Sequence, residues 1–231
     1  MKSKILILTL ACLLVLSLAV VAGASDSQPA SKAAGQVLGF DILKKSSSEA
    51  SSTSEWKDIF TTSIKTANQK DLFVDVSLQS ALFTDTTVKS KGMVKDTSTA
   101  TAGVDVRVLV DGEEAKPGVV TFNERTQTLS ATLQGELDLV DANGNGIVDF
   151  DELVVVDYEE VSLALDTVSA NSFNFIQPDV LSGVHEIKVQ AQINLGEEAT
   201  NGSADATAII GAGSVTVEEV GMVKDLTVEL Q

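Results

Sequence analysis

Period-two alternation of apolar and polar residues dominates this chain once its first quarter is passed. Leu72, Val74, Val76 and Leu78 occupy alternate positions, and Val104, Val106, Val108 and Val110 form the cleanest run of all. Successive side chains of a strand point to opposite faces, so each run predicts a strand with one face buried. Asp111-Gly112 predicts a tight turn, after which Val119, Val120 and Phe122 return. Leu129, Ala131 and Leu133 continue the alternation toward Leu137 and Leu139, and Leu153 to Val156 is a β-branched run. Farther on, Phe173 and Phe175 alternate, Pro178 interrupts, and His185, Ile187, Val189, Ala191 and Ile193 share one face. Ala206, Ala208 and Ile210 come next. Gly211-Ala212-Gly213 reads as a turn joining them to a last strand that starts with Val215 and Val217, with Leu226, Val228 and Leu230 beyond.

One stretch reads differently. Asp157 and Glu160 form a D-x-x-E capping box, Val161, Ala164, Leu165 and Val168 make a stripe at helical spacing, and Asn171 can end a helix in the left-handed conformation. A longer helix is the alternative, since Phe150, Val154 and Tyr158 keep near-3.6 spacing with that stripe. About eight to ten short strands and one short helix predict a mainly β protein, a β-sandwich or jelly-roll-like single domain. No repeat of fixed period points to a solenoid or propeller.

The ends refine this picture. Residues 1–24 have the order of a secretory signal: Lys2 and Lys4, an apolar stretch from Ile5 to Val21, then Ala22-Gly23-Ala24 before Ser25. An uncleaved anchor is the other reading of that stretch, which is near the length that spans a bilayer. Residues 25–54 are rich in Ser and Ala and read as a flexible segment, within which Val37 to Phe40 and Ile42-Leu43 can pair as a short strand or helix. Trp56 marks the expected start of the folded domain, residues 55–231. The expected location is secreted, extracellular or at the cell surface, with no membrane span after signal cleavage.

The only cysteine, Cys12, lies inside the signal, so an exported domain must be stabilised by core burial and bound metal rather than by disulfides. The formal net charge is −17. Such a surface repels nucleic acid and anionic membranes and attracts cations. The single histidine, His185, lies on an alternating strand face and reads as structural, and zinc sites built from His and Cys are excluded by inventory. Aromatic residues make up only 4 % of the chain, with one Trp56 and one Tyr158. That thins the case for a sugar-binding cleft, which generally has aromatic walls. Asn201-Gly202-Ser203 is a glycosylation sequon in a polar loop.

The strongest chemical signal is residues 141–152, reading DANGNGIVDFDE. Asp141, Asn143 and Asn145 stand at positions 1, 3 and 5 of a calcium-loop template, and Gly146 stands at the sharp turn of position 6. Ile147 offers its carbonyl at position 7, Asp149 stands at 9, and Glu152 closes the loop at 12. Ca²⁺ takes about six to eight oxygens, and a short loop encircles it only when alternate residues point inward. Asn143-Gly144 and Asn145-Gly146 also suit hairpin turns. That reading accounts for the glycines and asparagines, but not for Asp141, Asp149 and Glu152 at ligand spacing. The loop resembles that of the EF-hand family, a resemblance confined to these twelve residues. Its flanks, with Thr128, Ser130 and Thr132 before and Leu153 to Val156 after, are strand-like where the family has helices. A single loop of modest charge predicts binding in the ~10⁻⁴–10⁻³ M range of extracellular modules.

The C-terminal half, with ANSFNF at 170–175, SGVHEIKVQAQI at 182–193 and GSVTVEEV at 213–220, resembles exported β-sandwich proteins of uncharacterised function found, for example, in methanogenic archaea. The expectation is a secreted, non-enzymatic calcium-binding β-sandwich with a structural or adhesive role and an unidentified protein or polysaccharide partner. The alternative is a calcium-stabilised carbohydrate-binding module or hydrolase.

Overall fold

The structure, a computed structural model, describes residues 33–38, 43–46, 53–90, 92–141, 144, 146–147 and 153–222. The expected signal at 1–24 and the apolar positions Leu226, Val228 and Leu230 lie outside them. Twelve strands run in chain order: β1 (Ala33–Leu38), β2 (Leu43–Ser46), β3 (Lys57–Thr66), β4 (Lys70–Ser90), β5 (Val94–Val110), β6 (Glu113–Glu114), β7 (Val120–Leu133), β8 (Glu136–Leu139), β9 (Leu153–Asp157), β10 (Glu159–Val180), β11 (Gly183–Ala199) and β12 (Gly202–Val220). Ten of them form two antiparallel sheets stacked as a β-sandwich. One has the order β1-β12-β4-β10, with β2 also on β12. The other has the order β3-β11-β5-β6, with β7 also on β5.

The period-two runs find their partners across this stack. The even-numbered residues of β4 and β5, and the odd-numbered ones of β11, turn inward, so Val74, Val76, Val106, Val108, Ile187 and Val189 are fully buried together. Burying each such side chain contributes about 1.5–3 kcal/mol. Asp111-Gly112 turns as its sequence predicts, with both residues at positive φ. The strands are longer than expected: β4, β10 and β12 have 21, 22 and 19 residues. Residues 25–54, expected to be flexible, contribute β1 and β2 to the edge of β12.

Two expectations are corrected. No helix exists among the described residues, and the predicted helix over 157–171 lies in β9 and β10 instead. Val161, Leu163 and Leu165 also fit period two, and β10 pairs without interruption from Glu159↔Ser90 to Gln177↔Leu72. A ladder that long outweighs one capping box and the weak helical preference of Val, Ser, Thr and Asn. Residues 211–213 are not a turn either. They carry β12 through a register shift between Ile210 and Gly213, which moves the inward row from even positions (Ala206, Ala208, Ile210) to odd ones (Val215, Val217). Gly213 fits there because a Cβ would lie 2.6 Å from Leu78 Cδ2 and 2.7 Å from the Ser77 carbonyl oxygen.

Candidate calcium site

β7 and β10 occupy the same side of the sandwich, one in each sheet, and each runs on past it. β7 continues through residues 134–135 into β8, and β9 leads through Tyr158 into β10. Among the described residues, β8 and β9 pair only with each other, up to Leu139↔Leu153, as a hairpin that extends from the sandwich. The carboxylate of Glu159 clamps its base, where Oε2 accepts the N–H groups of Gln134 (3.1 Å) and Gly135 (3.2 Å). Beside it, Lys89 is paired with Glu160 at 2.8 Å. The hydrogen bond and charge of Glu160, and then the charge of Asp157, raise the Lys89 pKa.

The described template residues therefore fall at the closed end of a hairpin, between strands rather than helices. Of the six candidate ligands, Asp141 and Ile147 are described; Asn143, Asn145, Asp149 and Glu152 lie outside the described residues. Asp141 organises what is visible of the loop. Its Oδ1 accepts the Gly144 N–H at 2.7 Å and its Oδ2 the Gly146 N–H at 2.8 Å. Those two bonds curl positions 1, 4 and 6 together. Gly144 and Gly146 have φ of 71° and 80°, a left-handed bend that a residue with a Cβ resists. The carboxylate at position 1 and the turn at position 6 suit a loop that wraps a hard cation. Among the described residues, which include only Asp141 of the loop's acidic candidates, no group of three or more His, Cys, Asp or Glu side chains is arranged to hold a metal.

His185, the other chemically suggestive residue, is buried at the opposite end of the sandwich. Its Nδ1 meets Asp111 Oδ2 at 2.7 Å, and its Nε2 meets the Leu181 carbonyl at 2.8 Å and Thr66 Oγ1 at 3.1 Å. Thr66 is itself buried and donates to the same carbonyl at 2.6 Å. The order Thr–His–Asp resembles a catalytic relay, but a buried hydroxyl committed to a main-chain carbonyl cannot reach a substrate. The cluster ties β3, the β5–β6 turn and β11 together. Asp111 and Thr66 were missed as partners of His185 because they lie 74 and 119 residues away in the chain.

Trp56 and Tyr158 do not converge. The Trp56 ring is covered by the Arg107 guanidinium, 4.3 Å from its centroid, whereas Tyr158 sits exposed between β9 and β10. Neither lines the cavity of about 480 Å³ around Phe83, Asp85, Asp166 and Asp205, nor the one of about 380 Å³ beside Asp111 and His185. In the sequon, Asn201 donates its Nδ2 to both carboxylate oxygens of buried Asp96, at 3.0 and 3.1 Å.

No family model matches the chain, and no curated protein does. Among solved structures, the infectious bursal disease virus Gx strain is similar over 85 % of this chain and 41 % of its own, at 11 % identity and a TM-score of 0.27. Dimeric latent PorU from Porphyromonas gingivalis aligns over 85 % of this chain and 14 % of its own, at 7 % identity and a TM-score of 0.20. A CocE/NonD family hydrolase from Staphylococcus aureus aligns over 85 % and 38 %, at 11 % identity and a TM-score of 0.19. This chain thus spans less than half of each, and similarities this loose transfer no activity.

Proposed function

We propose that this protein is an exported, non-enzymatic calcium-binding β-sandwich that acts outside the cell or at its surface, holding Ca²⁺ in the loop that closes the β8–β9 hairpin. The observation that carries the reading is the Asp141 carboxylate, which gathers the Gly144 and Gly146 amides at the closed end of that hairpin. The template positions of Asn143, Asn145, Ile147, Asp149 and Glu152 support it from the sequence. Calcium would neutralise acidic side chains brought close together and reduce the freedom of the loop. A structural or adhesive role follows from a site placed at the end of a projecting hairpin rather than in a cleft. The carbohydrate-module or hydrolase reading gains nothing from Trp56 and Tyr158, which lie apart.

The test is a thermal melt of the protein in millimolar Ca²⁺, in Mg²⁺ and in EDTA, alongside Asp141→Ala and Glu152→Ala. Calcium is expected to raise the midpoint of the parent and of neither variant. With Kd at ~10⁻⁴–10⁻³ M, millimolar Ca²⁺ is about a 1- to 10-fold excess and the stabilisation is about 0.4–1.4 kcal/mol. A parent that responds to no cation, or variants that respond as the parent does, would falsify the assignment.

A further inference from the structure

Among the described residues, β10 ends its sheet and its outer edge is open. Ile176 directs both its N–H and its C=O away from β4, to the C=O (2.9 Å) and N–H (2.8 Å) of Lys116. The register of β10 on β4 is unbroken back to Glu159, so the even-numbered residues 160–174 present their main-chain groups to that same side. Among the described residues no main-chain partner meets them.

Proteins usually blunt such an edge with Lys, Pro or a bulge. Here residues 159–177 contain neither Lys, Arg nor Pro, and the first irregularity falls after Gln177. Large apolar side chains stand exposed on both faces: Val161, Leu163, Leu165 and Phe173 on the inward side at 39–45 %, and Val168 on the outward side at 61 %.

We infer that this edge is a homodimer interface, in which β10 of one copy pairs antiparallel with β10 of a second and joins the two sheets into one. The strand is complementary to itself in a single register. With Thr167 opposite Thr167 on the two-fold axis, residue 160 meets 174, 162 meets 172, 164 meets 170 and 166 meets 168, so every free edge residue is paired. The ladder stops where Ile176 is already bonded to Lys116. Charges agree with this alignment: Glu159 meets Phe175, Glu160 meets Asn174 and Asp166 meets Val168, so no acid lies directly opposite another. Sliding by two residues one way sets Asp166 against Asp166, and sliding the other way sets Glu160 against the occupied Ile176. Direct partners in an antiparallel pair lie on the same face, so Val161 covers Phe173 of the other copy, while Leu163 meets Asn171 and Leu165 meets Ser169. The net charge of −17 per chain opposes association, so salt strengthens the dimer by screening it.

Sedimentation equilibrium of the purified full chain, at low and at molar salt, tests the inference. A dimer favoured by salt is expected. Ala164→Pro removes an N–H that faces solvent in the monomer, so the fold should survive while dimerisation weakens at least tenfold. In a Cys12→Ser background, Thr167→Cys faces its own copy at a non-hydrogen-bonded pair, a geometry that accepts a disulfide, and should cross-link on mild oxidation. Leu165→Cys should link to Ser169→Cys of another chain and not to itself. A monomer at every salt concentration overturns the inference and leaves the edge for a strand of another protein. A dimer that Ala164→Pro does not weaken, or that Thr167→Cys does not cross-link, overturns it too. If Ala164→Pro fails to fold, the cysteine pattern alone decides.

Discussion

Along the inward face of β4, Leu72, Val74, Val76 and Leu78 give way to Ser80, Thr84, Thr86 and Ser90, interrupted by Leu82 and Val88. The facing strand β5 changes in step, from Val110, Val108, Val106 and Val104 to Ala102, Ala100, Ser98 and Asp96. The end of the sandwich near His185 is thus filled with branched hydrocarbon, including Phe175, Ile187 and Val217. The end from which the β8–β9 hairpin projects is filled largely with hydrogen bonds. There Thr84 donates to Gln127 Oε1 and Gln127 Nε2 donates to Thr86, both at 2.7 Å. Asn123 donates to Ser80 and Ser169, and Ser98 donates to the Ser203 carbonyl.

The two ends fail differently. Apolar burial is non-directional, so losing a side chain there costs its transferred area plus the cavity left behind. A buried hydrogen bond adds little net stability, but its loss strands a partner and costs that partner's desolvation. The polar end carries one such debt already, because Arg125 Nη2 is buried with no hydrogen-bond partner among the described residues. An interior of this kind holds the hairpin by direction rather than by area.

The largest effect expected from this contrast is Ile187→Ala at the apolar end, a loss of about 2–5 kcal/mol in denaturant unfolding. A loss below 1 kcal/mol would mean that this end is not the main source of stability. Gln127→Leu at the polar end should cost less, about 1–3 kcal/mol, because Thr84 and Thr86 lose their partner. The contrast sharpens if Thr84→Val and Thr86→Val are then added. The triple variant should regain part of the loss, since the two stranded hydroxyls are gone while Arg125 Nη1 gives up Thr84 as acceptor and the Leu163 carbonyl gives up its side-chain donors, and a further loss would show that the network itself supplies net stability.

The smallest effect concerns Glu197, which continues the inward row of β11 beyond Leu195. Desolvation, and then the charge of Asp205, raise its pKa above the usual carboxylate value, partly offset by a hydrogen bond to the Ala206 main chain. A raised carboxyl pKa in the folded state means that folding favours the protonated form. That contribution is complete below the unfolded pKa and is lost as pH rises through the folded one. Glu197→Gln should therefore stabilise the protein at neutral pH, by no more than about 0.5 kcal/mol given its exposure, with the gain vanishing in acid. Melts of both proteins across pH 3 to 7 check this, and a gain that grows as pH falls would reverse the sign.

How much of this was legible in the chain depends on the range of the cause. Val104 to Val110 announced a buried strand because the pleat puts every second residue on one face whatever its partner. Asp111-Gly112 announced its turn because φ > 0 is a local demand. Asp141 and Gly146 announced a wrapped loop for the same reason. The stretch 157–171 misled because Val161, Ala164, Leu165 and Val168 satisfy helical spacing while Val161, Leu163 and Leu165 satisfy the strand, and only pairing with β4 decides between them. Residues 211–213 looked like a turn because a bulge inside a long strand uses the same glycines.

The sequence by itself determined the period of the strands, the tight turns, the acidic surface and the spacing of the calcium template, all set by neighbours within about a dozen residues. The tertiary structure alone decided that β7 and β10 lie on one side and launch a common hairpin. It also decided that Asp111 and Thr66 meet His185, that Gln127 meets Thr84 and Thr86, and that the outer edge of β10 stays open. The physical reason is that such contacts join residues far apart in the chain, whose meeting depends on the order of strands in a sheet, and strand order leaves no local mark on the residues it brings together.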